Sequence, residues 1–225
     1  MAEASGLTLH FHPLSSFCQK VLVALYENDT PFRPQHVDLF DEAQRAAFLR
    51  LWPVGRFPVL RDDARGRTVP ESTIIIEYLS HFYPGSTALV PADPGLALET
   101  RELDRLFDLY VNVPMQKIVT DRLRPEGRGD AQGVEDARAL LLKAYGVLEA
   151  RLAGRAWANG MGFSMADCAA APALRYADMT LPLGGSFPVL AGYLERLKQR
   201  PSFARAIAEG EPFMKLIPQP KEGAA

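Results

Sequence analysis

Residues 13–21 read PLSSFCQKV, and three candidate nucleophiles, Ser15, Ser16 and Cys18, fall within four positions there. A thiolate rather than a thiol is the reactive form of cysteine, so Cys18 would need a depressed pKa to act. Two other stretches have the residue types of a binding site. In FPVL (57–60) a proline opens a strand and cannot donate to its ladder. Pro58 is either an ordinary trans proline or a cis one that turns the preceding backbone outward. In the second case Phe57 offers its N–H and C=O to an extended peptide. In PESTIIIEYL (70–79) Pro70 sits near a helix start, with Glu71 and Ser72 in the first turn. Free N–H groups and the helix dipole favour a carboxylate there. Glu71 can pair with an ammonium and Ser72 can bond a carboxylate, which together would hold an α-amino acid head group. The alternative is that both residues merely cap the helix.

The elements that must position these residues follow from periodicity. Leu7 to His12 alternates apolar and polar residues, a strand ended by Pro13. Cys18, Val21, Leu22, Leu25 and Tyr26 have helical spacing, with Ser15 or Ser16 as the cap. Pro31 to Val37 reads as an edge strand because of its two prolines. A helix over 41–51 follows, capped by Asp41, then short strands at 58–60 and 68–69 and a helix from Glu71 to Phe82. The order is βαβαββα. Residues 81–95 (HFYPGSTALVPADPG) read as a linker. Beyond them almost nothing has strand period. Helices are expected over 96–124 with a kink at Pro114, over 130–152, 164–178, 187–198 and 202–209, and an extended or frayed tail after Ile217. The fold class is α/β plus all-α: an N-terminal domain at 1–84, a linker at 85–95 and a helical C-terminal domain at 96–225.

Several classes are excluded by composition and spacing. The net charge is −2 and charged residues make up 23% of 225, which gives no reason to expect nucleic acid or an anionic membrane as partner. Two distant cysteines, Cys18 and Cys168, suit a reduced cytoplasmic protein. The first residues, MAEASGLTLHFHP, lack the pattern of a secretory leader, and no apolar run reaches the roughly 18 residues of a membrane span. His10, His12, His36 and His81 form no metal-ligand spacing with the cysteines, so no metal is expected. There is no G-x-S-x-G elbow and no Gly-rich phosphate loop. In FSMADC (163–168), Ser164 and Asp167 are spaced as a capping box, which predicts a buried Asp167 that serves folding. Cys168 reads as a small core residue.

Taken in order, PLSSFCQKV, PVGRFPVL, PESTIIIEYL, LVPADP and FSMADCAAAPAL resemble the cytosolic glutathione S-transferase superfamily over roughly residues 7–210. The resemblance implies a thioredoxin-like N-terminal domain, a helical C-terminal domain and a homodimer. It also implies glutathione as co-substrate and a small hydrophobic electrophile as second substrate. In serine-type members, of theta, zeta and phi character, the catalytic serine stands six residues before a helical valine, which is Ser15 before Val21. The residue ahead of the family's cis-proline, here Phe57 before Pro58, pairs with the cysteinyl backbone. Glu71-Ser72 holds the γ-glutamyl group, and Arg56 approaches the glycyl carboxylate. This chain has Trp52-Pro53 where family members often have Asn-Pro. The electrophile pocket is expected between the domains, walled by Leu14, Tyr110, Pro114, Met115, Ile118 and Arg122.

Four activities compete on this reading: conjugation of glutathione to an electrophile, glutathione-dependent isomerisation of the maleylacetoacetate type, a non-catalytic binding or regulatory role, and thiol–disulfide exchange through Cys18. The zeta pattern SSCS is SSFC here, against the isomerase. An intact Ser15, Pro58 and Glu71-Ser72 set argues against the non-catalytic role. Ser15-x-x-Cys18 is the thioredoxin-type C-x-x-C with its first cysteine replaced, so a dithiol cycle is not available.

Overall fold

The computed structural model of the protein describes residues 6–219. The outermost parts of both expected domains and of the expected tail, and the first residues read for a leader, lie outside the described residues. The first half runs β1 (Leu7–Phe11), α1 (Ser16–Glu27), β2 (Arg33–His36), α2 (Glu42–Leu51), β3 (Val59–Asp62), β4 (Arg67–Pro70) and α3 (Ser72–Phe82). The sheet order is β2-β1-β3-β4, with β2 parallel to β1 and the other pairings antiparallel. Pro34, with no N–H to give, sits opposite Leu9 from the edge strand β2. In β1 the apolar half of the alternation, Leu7, Leu9 and Phe11, is buried.

The second half is helical: α4 (Pro94–Leu106), α5 (Val113–Asp121), α6 (Ala131–Leu152), α7 (Met165–Thr180), α8 (Pro188–Lys198) and α9 (Pro201–Gly210). The single helix expected over 96–124 is broken into pieces. A π-helical segment, Phe107–Asn112, joins α4 to α5, and the Val113 N–H donates to the Asp108 carbonyl, a five-residue step. Pro114 has no N–H to offer the preceding turn, which favours re-registering the ladder just ahead of it. A 3₁₀ turn, Glu211–Leu216, follows α9 and was not anticipated.

Helix α1 packs against α3, α7 and α9, so it is enclosed on nearly every side. Cys18, Val21, Leu22 and Leu25 are buried as their spacing predicts, but so are Gln19 and Lys20. Buried polar groups need partners. Lys20 Nζ lies 2.6 Å from Asp104, 2.7 Å from Asp108 and 2.9 Å from Thr73 Oγ1, which ties α1 to α3 and to the helical half. Gln19 Nε2 donates to the Pro13 carbonyl at 2.9 Å and to the Tyr176 hydroxyl at 3.1 Å. Among the described residues, no helix is long and apolar enough to cross a membrane.

Candidate functional site

The register of the sheet brings the three candidate motifs together. His10 pairs with Val59, and Val59 pairs with Pro70, so these residues form one row across β1, β3 and β4. The chain passes this row three times at the same end of the sheet. It leaves β1 toward Ser15, enters β3 from Phe57-Pro58, and leaves β4 into Glu71-Ser72.

Ser15 is the N-cap of α1, and its hydroxyl accepts from the Cys18 N–H at 3.4 Å. Its own N–H donates to the His12 carbonyl at 3.0 Å. A hydroxyl that accepts one bond still has its single O–H to give. The cap and a donor to a ligand sulfur are therefore compatible uses of one side chain. Ser16 is buried and accepts from Gln116 Nε2 at 3.2 Å, so its hydroxyl is engaged by the helical half. Cys18 is fully buried, and burial pushes its thiol up to about 12, against the pull of the Ser15 hydroxyl and the His12 backbone. It stays a protonated packing group at neutral pH.

The Phe57–Pro58 peptide bond is cis. The pairing of β1 with β3 stops at His10 and Val59, which leaves Phe57 beyond the paired register. The Phe57 ring packs among Phe48, 6.2 Å away, and His12, 6.3 Å away and stacked at 21°. Trp52, which caps the end of α2, packs with Leu51 and Phe57 on a small cluster of Val37, Phe48 and Val59. Arg56 is exposed and forms no ion pair among the described residues.

The start of α3 has no side-chain cap, a feature shared with α5, α8 and α9. Helices α1, α2, α4 and α6 have a side-chain oxygen bonded to a backbone N–H of the first turn. Glu71, the N-cap of α3, makes no such bond. Its φ of 69° lies in the region that favours glycine, and it is one of two such non-glycine residues among the described residues. A backbone held there costs about 1–3 kcal/mol, and such strain clusters at functional sites. Ser72 is buried, yet its hydroxyl has no hydrogen-bond partner among the described residues. The reading of Glu71-Ser72 as plain caps fails on this geometry: neither side chain caps. What remains is a helix N-terminus with free donors, a free hydroxyl and an exposed carboxylate.

The six residues expected to wall an electrophile pocket go to different places. Leu14 is half-buried beside Ser15, packed on the core. Pro114, Met115 and Ile118 are buried in the interior. Tyr110 lines a groove with Leu106, Leu140, Ala144 and Val147, between the α4–π segment and α6. Arg122 reaches the C-terminal segment, where it donates to the Pro218 carbonyl at 2.9 Å. The sequence reading missed Gln116, which reaches the residue next to Ser15, and Phe213, whose ring meets His12 edge-on at 5.1 Å. A lone polar residue on a helix and a lone aromatic near a chain end carry no signal of such a position.

The fold is a two-part α/β and all-α protein whose three candidate motifs converge at one end of the sheet. Two family models match the chain. The glutathione S-transferase N-terminal domain matches residues 9–87, and the glutathione S-transferase C-terminal domain matches residues 131–196. Glutathione S-transferase F7 of Arabidopsis thaliana is 26% identical over 219 residues, which is 90% of this chain and 100% of that protein. The structure of a glutathione S-transferase from Methylobacillus flagellatus with glutathione bound aligns with TM-score 0.81 and 27% identity, over 89% of this chain and 98% of that one. Another from Methylobacterium radiotolerans, in complex with glutathione sulfonate, aligns with TM-score 0.78 and 28% identity, over 89% of this chain and 94% of that one. The chain belongs to the cytosolic glutathione S-transferase superfamily, a family of enzymes, and its N-terminal half is the thioredoxin-like domain of that fold.

Proposed function

We propose that the protein transfers glutathione to a small hydrophobic electrophile in a detoxifying conjugation. The observation that carries this is the open start of α3, on the same sheet end as Ser15 and Phe57. Ser72 and the free N–H groups of α3 take the γ-glutamyl carboxylate, and Glu71 takes its ammonium. The Phe57 backbone pairs with the cysteinyl residue, and Arg56 approaches the glycyl carboxylate. The sulfur then lies at the start of α1, against Ser15. A free thiol with pKa near 8.5 is mostly protonated at pH 7. One hydrogen bond to a charged group is worth about 1.5–3 kcal/mol, or roughly one to two pKa units. The Ser15 O–H supplies that bond, and the α1 dipole adds to it. The thiol proton leaves to solvent and the thiolate forms the new C–S bond. On a haloarene the halide departs; on a Michael acceptor a proton is taken up from water.

Leu14 and Gln116 stand at the electrophile's side of Ser15. Thiol–disulfide exchange is opposed by the burial of Cys18, since an inaccessible protonated thiol cannot resolve a mixed disulfide. The protein acts in the cytoplasm as a homodimer, a reading supported by its two free cysteines and by the exposed Leu109, Tyr110, Val113, Leu140 and Val147. The domain at 1–84 binds glutathione, and the helical domain at 96–225, joined through 85–95, supplies the second substrate's walls. The test is the thiolate absorbance of bound glutathione between pH 5 and 9. Ser15→Ala should raise the thiol pKa by about one to two units and slow turnover in proportion to the thiolate lost. A Ser15→Ala protein with the wild-type thiol pKa and turnover on a chloronitrobenzene would defeat this reading.

A further inference from the structure

Ser15 sits on a four-residue turn whose shape is set by His12. The His12 carbonyl accepts the Ser15 N–H at 3.0 Å. Any residue could supply that carbonyl. The imidazole does something only a side chain with an acceptor at this place can do: its Nδ1 accepts the Leu14 N–H at 3.2 Å. Pro13 has no N–H, so these two bonds account for the first donors of the turn between β1 and the cap of α1. The ring is fixed from two sides. Phe57, the residue ahead of the cis proline, stacks on it, and Phe213 from the C-terminal 3₁₀ turn meets it edge-on at 5.1 Å.

We propose that His12 is the positioning residue for Ser15: its neutral imidazole, clamped between Phe57 and Phe213, holds the Pro13–Leu14 turn through Nδ1 and so aims the Ser15 hydroxyl at the glutathione sulfur. This inference rests on the proposed role of Ser15. It requires the Nε2–H tautomer, because a protonated Nδ1 would turn a donor against the Leu14 N–H. Burial and the charge of His36 favour the neutral ring, with Asp38 opposing; these are the charged groups that act on it. Phe57 and Phe213 bring no charge. The clamp also joins the two halves of the molecule, since His12 touches both Phe57 and Phe213 of the C-terminal 3₁₀ turn.

The test compares wild type, Ser15→Ala, His12→Leu and His12→Asn in conjugation of glutathione to a chloronitrobenzene. Asn places an amide oxygen near where Nδ1 stood, whereas Leu keeps bulk and loses the acceptor. His12→Leu should lower kcat by about tenfold, the order expected for one lost orienting hydrogen bond. KM for glutathione should change less than kcat, because the α3 start is untouched and Phe57 pairs through its backbone and not its ring. His12→Asn should recover most of the loss. Equal impairment of both variants would mean that the ring's packing, not its acceptor, matters, and would overturn the proposal. Full kcat in His12→Leu with an impaired Ser15→Ala would overturn it while leaving the role of Ser15 intact. An unimpaired Ser15→Ala would remove both. Should His12→Leu fail to fold, nitrogen NMR of the wild-type imidazole decides alone: the Nε2–H tautomer with a midpoint below the usual 6.5 supports the proposal, and an Nδ1–H tautomer refutes it.

Discussion

Helices α3 and α7 both begin with a serine and an acid, and they use them in opposite ways. At α7, Asp167 accepts from the Ser164 N–H and hydroxyl at 2.8 Å each, from the Ala158 N–H at 2.8 Å and from the Tyr193 hydroxyl at 2.6 Å. Every oxygen there is engaged by the protein, and the pair is fully buried. At α3, Glu71 is exposed with a φ of 69°, and the Ser72 hydroxyl has no partner among the described residues. A closed cap is spent on folding. An open one, held in an unfavourable backbone region, leaves its donors for a ligand. The same residue types at a helix start thus differ in whether their hydrogen bonds close internally.

The comparison breaks first at α7. Asp167→Ala leaves several buried donors unpaired, which should cost about 3–5 kcal/mol in denaturant unfolding. The fraction that still folds should bind glutathione with unchanged affinity; weakened binding by folded protein would make the cap part of the site. Ser72→Ala should do the reverse. Loss of a bond to a ligand carboxylate, about 1.5–3 kcal/mol, corresponds to a roughly 10- to 150-fold weaker Kd by calorimetry. Unfolding free energy should stay within about 0.5 kcal/mol of wild type. A destabilised protein with normal affinity would place Ser72 among the caps. Glu71→Gly sharpens the contrast further. Glycine adopts positive φ freely, so relief of strain should stabilise the fold by about 1 kcal/mol. Loss of the carboxylate should at the same time weaken glutathione binding. A variant that binds as well as wild type would leave the strain without a functional purpose.

Much of this was legible in the sequence, for identifiable reasons. β1 and α1 came from period-2 and helical spacing, the other strands of the first half from prolines and turns, and the Ser164/Asp167 box from spacing alone. Pro58 was ambiguous, because a proline at a strand start has the same pattern in either isomer. The single helix expected over 96–124 was the main miss, since a π-helical segment breaks it. A π-helical turn has no sequence period of its own, so the break at Phe107–Asn112 left no mark in the pattern. Lys20 gave no warning either. A lysine in an amphipathic helix reads as solvent-facing, and only the arrival of Asp104 and Asp108 from a distant helix makes its burial tolerable. Gln116 and Phe213 reach the site through tertiary placement, which no local pattern encodes.

A third helix start tests how far the contrast extends. Near the beginning of α9, the Ser202 hydroxyl donates to Glu27 at 2.8 Å, Arg200 bonds the same carboxylate, and the Thr87 hydroxyl reaches it at 3.2 Å. This serine–acid pair is closed, but the acid comes from the end of α1, so it joins two halves of the molecule instead of capping one helix. Burial pushes the Glu27 carboxyl up; the bonds from Arg200, Ser202 and Thr87 and the charge of Arg200 outweigh it and hold the group below the usual carboxylate range. A depressed folded pKa means that the ionised form favours folding. The stabilisation is present above the unfolded value of about 4.3 and is lost as pH falls through the folded one. Glu27→Gln should therefore be about 1 kcal/mol less stable than wild type at pH 7. The gap in denaturant midpoint should close as the pH drops below about 4, with glutathione binding at pH 7 unaffected. A gap that stays constant from pH 7 to pH 3 would mean that shape and not charge holds α9 to α1, and the closed pairs would then share one mechanism.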